Sequence, residues 1–196
     1  PLYLVALLEE MRLYGDHKSP LQKVDSYLEA KTVSKLFSKI LERYEEDYED
    51  DRPGLVRDAF SYIWASRKGL SETELLELLG SGGSPPPRAY WSPLSLAAEH
   101  NLINRSGYLG FYHDYFREAI RERYLNSDTE QVKAHLALAE YFETCESLPR
   151  LCEEFPWQLA QGKAWEHLVS QLTQPDLFMT LWDVNHYDVQ EYWVQI

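Results

Sequence analysis

The feature that most constrains this chain is a helical period that returns along most of its length. Between Thr32 and Tyr48, the residues Val33, Leu36, Phe37, Ile40, Leu41, Tyr44 and Tyr48 recur at steps of three and four. That spacing puts them on one side of a helix, which turns once in about 3.6 residues. Lys35, Lys39, Glu42 and Glu46 fall on the other side and are left to water. From Pro53 to Arg67 the same pattern aligns Leu55, Val56, Ala59, Phe60, Ile63 and Trp64, with Pro53 in the first turn, where a missing N–H costs nothing. An earlier helix runs from Leu2 to Leu13 and stops at Gly15, a residue suited to a C-terminal cap. A shorter one starts at Pro20 and carries Leu21, Val24 and Leu28.

Such a chain can fold. Of its 196 residues 44% are hydrophobic and 14% aromatic, enough apolar surface to offset the entropy of ordering. The length suits one large domain or two small ones. With 19 basic and 32 acidic residues the formal charge is −13, which argues against nucleic acid as a partner, because phosphate contacts need a basic face. No apolar run approaches the roughly 20 residues that span a bilayer, and no signal peptide is visible, so no membrane role is expected. Cys145 and Cys152 are too few for a disulfide framework, and a cytoplasmic location is expected. The chain begins at Pro1 and is read as a piece of a larger protein.

The middle of the chain changes character. Ser71-Glu72-Thr73-Glu74 is a capping box, with serine at the N-cap and glutamate three residues on, ahead of Leu75, Leu76, Leu78 and Leu79. Gly80 to Pro87 reads as a linker, and Arg88 to His100 as a helix that contains Pro93. Leu102–Arg105 and Tyr108–Tyr112 flank Ser106-Gly107, the pattern of a β-hairpin. A helix follows from His113 to Leu125. Helix, capped helix, helix and hairpin is the order of a winged-helix domain. The remainder reads as helices over Glu130–Glu143, Pro149–Gln161, Ala164–Leu172 and a last stretch ending in Tyr192-Trp193. Trp165-x-x-Leu168 is one fragment of a tetratricopeptide-like pattern, without a fixed period. The expected fold class is therefore mainly α. A helical segment occupies 1–52, a winged-helix domain with one β-hairpin occupies 53–127, and helical hairpins that begin a repeat array occupy 128–196.

Catalytic chemistry finds little support. There is no G-x-x-x-x-G-K-[ST], no G-x-S-x-G, no H-E-x-x-H and no C-x-x-C, so neither an enzyme nor a metal site is indicated. The acidic run from Glu45 to Asp51 lacks calcium-loop spacing and reads as a solvated helix end. The helix that would enter a DNA groove offers Arg88, Glu99 and many apolar groups. Base reading needs polar side chains there, so Tyr90, Trp91, Leu94 and Leu96 read instead as packing against another protein surface. One constellation remains, Tyr112-His113-Asp114 at the strand–helix junction. His113 can donate to a phosphate oxygen or be satisfied by local backbone, and Asp114 can cap the following helix.

The order and wording of these segments resemble STAND signal-transduction ATPases, the class that includes the NACHT and NB-ARC groups. Pro1-Leu2-Tyr3-Leu4 with the helix ending in Tyr14-Gly15 resembles the G-x-P segment after their nucleotide-binding core. Ala65 to Leu75 resembles their capped winged-helix element, and Asn104 to Arg117 resembles their hairpin and M-H-D motif, with Tyr112 in place of methionine. Phe155 to Leu159, Trp165-x-x-Leu168 and Asp176-Leu177-Phe178 are similar to the approach to the repeats of nephrocystin-3-like NACHT proteins. The resemblance implies ADP or ATP held mainly by an adjacent P-loop NTPase domain outside this sequence, with Pro1 on the adenine and His113 on the β-phosphate. It implies a regulatory fragment, without Walker motifs of its own, whose parent is an ATPase. Such a fragment senses the nucleotide, relays the switch to a protein-binding repeat region, and accompanies oligomerisation on activation. The alternative is a protein–protein interaction adaptor that needs no nucleotide.

Overall fold

A computed structural model describes residues 2–13, 20–80 and 88–196. Pro1, Gly15 and residues 81–87 of the expected linker lie outside them. The described fold is mainly α, with a small two-stranded antiparallel sheet. The chain divides into two compact units, residues 1–64 with 70–126 and residues 65–69 with 127–196.

The first unit contains α1 (Leu2–Leu13), α2 (Pro20–Leu28), α3 (Val33–Tyr48), α4 (Leu55–Ala65, except its last residue), α5 (Glu72–Leu78), α6 (Arg88–Ala97), β1 (Leu102–Arg105), β2 (Tyr108–Phe111) and α7 (Asp114–Tyr124). Its core forms where the helical stripes converge. Phe37, Phe60 and Phe116 are fully buried, and Phe116 meets Phe37, Phe60 and Phe111 edge to face at 5.3, 5.5 and 5.7 Å between ring centroids. That geometry brings the positive ring edge to the negative face of its neighbour. Trp91 and Leu94 belong to this core as well. The expectation that they face another protein is corrected: a helix with an apolar stripe satisfies it first within its own unit, and of that group only Leu96 is exposed.

Polar groups set the ends of these helices. Gly54 has φ +82°, so α4 starts at Leu55 and not at Pro53. The Glu49 carboxylate caps it, accepting from the N–H groups of Gly54 and Val56 at 2.9 Å each. Glu45, in the same acidic run, accepts from Arg123 and from the Tyr124 hydroxyl, and Asp47 accepts from Arg43 at 2.7 Å. The run is therefore a set of caps and cross-links between helices rather than a merely solvated end. Arg43 also donates to Glu10 at 2.6 and 3.1 Å, and Glu10 accepts from Tyr27, which ties α1, α2 and α3 together.

The hairpin pairs Leu102 with Phe111 and Arg105 with Tyr108. Ser106 (φ 55°) and Gly107 (φ 93°) both take positive φ, as the tight turn between twisted strands requires. Leu70 exchanges two backbone bonds with Leu109, at 3.2 and 2.7 Å, on the free edge of β2.

The second unit consists of the short segment 65–69 and four helices, α8 (Asp128–Glu143), α9 (Leu148–Gln161), α10 (Trp165–Leu172) and α11 (Pro175–Gln195). α8 begins two residues earlier than its apolar pattern, because Ser127 and Glu130 form a second capping box. α9 packs against α8, α10 and α11. Where α8 and α9 approach, a Cβ on Gly162 would lie 2.7 Å from Leu136 and 3.0 Å from the Gln158 carbonyl oxygen. Only glycine fits there without displacement.

Candidate functional site

The residues expected to carry function are separated from those the fold brings together most tightly. His113 sits at the junction of β2 and α7, half-buried, with extended backbone (φ −127°, ψ 135°). It is the N-cap residue of α7, and its side chain makes no cap bond; Asp114 is the first helical residue and not the cap. The Asp114 charge still lies in the first turn, where the helix dipole favours it. The His113 ring stands edge-on to Tyr112 at 4.5 Å between centroids. It borders a cavity of about 30 Å³ shared with Ala6, Glu10, Phe37 and His100, room for about one water molecule. Pro1 lies outside the described residues.

A denser arrangement lies on α9. Arg150, Glu154 and Gln158 follow one another at four-residue steps, so they share one face of the helix, and all three are buried. They hold the backbone of residues 65–69. The Glu154 carboxylate accepts from the N–H groups of Arg67 and Lys68 at 3.0 Å each. Arg150 donates to the Gly69 carbonyl at 2.9 Å, and Gln158 donates through Nε2 to the Ala65 carbonyl at 2.9 Å. Because that amide nitrogen is the donor, Gln158 Oε1 accepts from His135 Nδ1 at 2.8 Å, which places a proton on Nδ1. A buried carboxylate is tolerable only when paired in this way. The ladder therefore holds a bent stretch of polypeptide through its peptide groups.

The held segment also presents side chains. Arg67 makes a two-pronged ion pair with Asp188 of α11, at 2.6 and 2.9 Å. Planar guanidinium and carboxylate match in this geometry, and the paired carboxylate raises the Arg67 pKa. Tyr192, one turn further on, is buried, and burial pushes its phenol pKa well above the ordinary value. Cys152 is buried too, and burial raises its thiol pKa.

The remaining surface of α11 is unusual for its apolar content. Met179, Val184, Tyr187, Trp193 and Val194 are exposed, Val194 to 85% and Tyr187 to 71%. The helix breaks at Asn185 (φ −159°, ψ 93°), whose side chain accepts from the Tyr187 N–H at 3.1 Å and so caps the second half. None of these residues was singled out by sequence. The four-residue spacing of Arg150, Glu154 and Gln158 along α9 was the available signal for the ladder.

No protein-family model matches the chain, and no solved structure matches it. Similar curated proteins include a TPR repeat-containing protein of Dictyostelium discoideum, 33% identical over 195 residues, which covers 98% of this chain and 12% of that protein. Tetratricopeptide repeat protein 41 of Mus musculus is 24% identical over 212 residues, covering 90% of this chain and 16% of its own length. The chain thus spans less than a fifth of either relative.

These relatives overturn the STAND and NACHT expectation, and with it the nucleotide-binding signal-transduction assignment, and they give no support to a parent ATPase or an adjacent P-loop domain. The similarity runs over nearly the whole chain to tetratricopeptide repeat proteins instead. The physical reason the motifs misled is local. An aromatic strand end, a turn into a helix and an acidic first turn are what any hairpin that feeds a helix requires. The roles implied for His113 and Pro1 rested on the resemblance and lose that support. Among the described residues, no helix is long and apolar enough to cross a membrane.

Proposed function

We propose that this chain is part of a non-enzymatic adaptor that binds other proteins through the helical surface of its C-terminal part. The observation that carries this reading is the set of exposed apolar side chains along α11, where Val184, Tyr187 and Val194 are among the most exposed large apolar groups. Apolar groups gathered on one surface mark places where a protein meets another. The names of the relatives agree, since tetratricopeptide repeats are stacks of helical hairpins whose surfaces take up partners.

The domain reading that accompanies this proposal is a helical segment over 1–52, a winged-helix-like part over 53–127, and hairpins over 128–196 that open a tetratricopeptide-type array. The order α4, α5, α6, β1, β2 supports the middle assignment, as does the two-bond bridge from Leu70 to Leu109, which adds a third short edge to the hairpin.

The test is a triple substitution, Val184→Glu, Tyr187→Glu and Val194→Glu, in the full-length protein expressed in its own cells. Stoichiometric co-purification and cross-linking of a partner to α11 are expected for the unaltered protein, and their loss is expected for the variant. A partner fully retained by the variant removes α11 from the reading. Absence of any stoichiometric partner of the unaltered protein removes the adaptor function.

A further inference from the structure

Within the second unit, α11 carries formal charge of one sign only. No lysine or arginine follows Lys163, and the charged residues of α11 are Asp176, Asp183, Asp188 and Glu191. Two of these are already met. Asp188 pairs with Arg67 at 2.6 Å, and Asp176 lies in the first turn, where the helix dipole favours it. Asp183 and Glu191 are exposed, and neither makes an ion pair among the described residues. Glu191 accepts only from the neutral amide of Gln195, at 3.2 Å. The surface of α11 therefore holds two uncompensated carboxylates and no cation of its own.

Both carboxylates stand among exposed apolar groups. Asp183 comes one turn after Met179 and directly after Trp182, and Glu191 comes one turn after Tyr187 and three residues before Val194. Residues three and four apart share a helix face, and Met179, Trp182, Tyr187 and Val194 are all open to solvent. A row of rings runs across the break at Asn185. Phe178 stacks on Trp182 at 5.8 Å between centroids, Trp182 meets His186 at 5.6 Å, and His186 meets Tyr187 at 4.1 Å. The negative face of an exposed aromatic ring attracts a cation, arginine more often than lysine. Rings and carboxylates thus favour the same kind of group.

We propose that α11 docks a basic amphipathic helix of a partner protein, one that sets arginine or lysine beside apolar side chains. The apolar groups of that helix lie against Met179, Tyr187 and Val194. Its cations meet Asp183, Glu191 and the rings of Trp182 and Tyr187. A helix fits because the exposed residues recur at three and four, the spacing of the ridges with which a second helix interlocks. A second copy of this chain does not fit, since its α11 would set carboxylates against carboxylates, and an acidic segment fails for the same reason. This inference rests on the adaptor reading and names the chemistry of its partner.

The test uses three fluorescent helical peptides of equal length, whose two faces carry leucine with arginine, leucine with glutamate, or glutamine with arginine. Anisotropy with the 196-residue chain at about 0.15 M salt is expected to show the leucine–arginine peptide binding about tenfold more tightly than either other. Asp183→Asn with Glu191→Gln weakens that peptide about fivefold. Glu42→Gln with Glu46→Gln, which removes the same charge from the exposed side of α3, changes it less than about twofold. Trp182→Leu with Tyr187→Leu weakens it about threefold, the share of the rings. Equal weakening by the two carboxylate pairs overturns the site, because the peptide then senses only net charge. So does equal binding of the leucine–arginine and leucine–glutamate peptides, or failure of all three to bind. The full-length protein separates this inference from the adaptor reading. A partner that cross-links to α11 and is held undiminished by Asp183→Asn with Glu191→Gln leaves the adaptor standing and removes the basic helix.

Discussion

In the first unit the rings of Phe37, Phe60 and Phe116 are shut inside, with one buried ion pair, Arg43–Glu10, while Arg123–Glu45 lies nearer the margin. In the second unit Arg150, Glu154 and Gln158 are buried, while Tyr187, Trp193 and Val194 face solvent. The first arrangement is that of a self-sufficient core. The second has an apolar core too, with Phe142, Phe155 and Leu168 buried, but adds to it a polar ladder on peptide groups and leaves apolar side chains of α11 open. A unit built this way has satisfied its own backbone and still has surface to offer, which is what a docking element needs.

The sharpest way to break this contrast is to delete one group from each interior. Phe116→Ala should cost about 3–5 kcal/mol by leaving a cavity. Glu154→Ala should cost about as much, for another reason: it strands the N–H groups of Arg67 and Lys68 and takes one of two carboxylates from Arg150. Hydrogen exchange should show each loss confined first to its own unit. A Glu154→Ala cost below about 1 kcal/mol would mean that the ladder is incidental.

Gly162→Ala should cost about 1–2 kcal/mol, because the new methyl must displace Leu136 or the Gln158 carbonyl; urea denaturation reads it directly. A smaller effect comes from acid. Burial works against ionisation of Glu45, but the hydrogen bonds from Arg123 and Tyr124 outweigh it and lower its pKa. A carboxylate with a lowered folded pKa contributes stability that is fully present above its unfolded value, near 4.3, and is lost as pH falls through the folded value. Acid titration of the unaltered chain should therefore weaken the first unit below about pH 4, and Arg123→Met should reduce that dependence. Smallest of all, Val184→Glu should change stability by less than about 0.5 kcal/mol, as its side chain is already in water. A large loss would mean that α11 needs that residue for its own fold.

Local signals were the legible ones. The stripe of α3 gave its buried face, Ser71 and Glu74 made the cap they spelled, and Ser106-Gly107 turned the hairpin at the expected place. Each depends on residues within a turn or two of one another. Glu154 and its two backbone donors are 86 and 87 residues apart, so no window of sequence contains the site. Arg67 and Asp188 are 121 residues apart. Trp91 and Leu94 were misplaced because an apolar stripe states that something covers it and not what does. The attention given to His113 came from wording at a strand–helix junction, while Trp182 and Asp183 had no motif to announce them.

The grip of α9 on residues 65–69 also bears on synthesis and dissection. During translation the held segment leaves the ribosome well before Glu154 exists, so its peptide groups stay hydrated until the later helices emerge and close the long loop. A fragment cut at residue 127 would lose that segment altogether. Its Arg150, Glu154 and Gln158 would then keep their bonds to one another, to Glu153 and to His135, but lose the peptide groups they hold. A five-residue peptide of sequence Ala-Ser-Arg-Lys-Gly, supplied separately, is the natural complement for such a fragment.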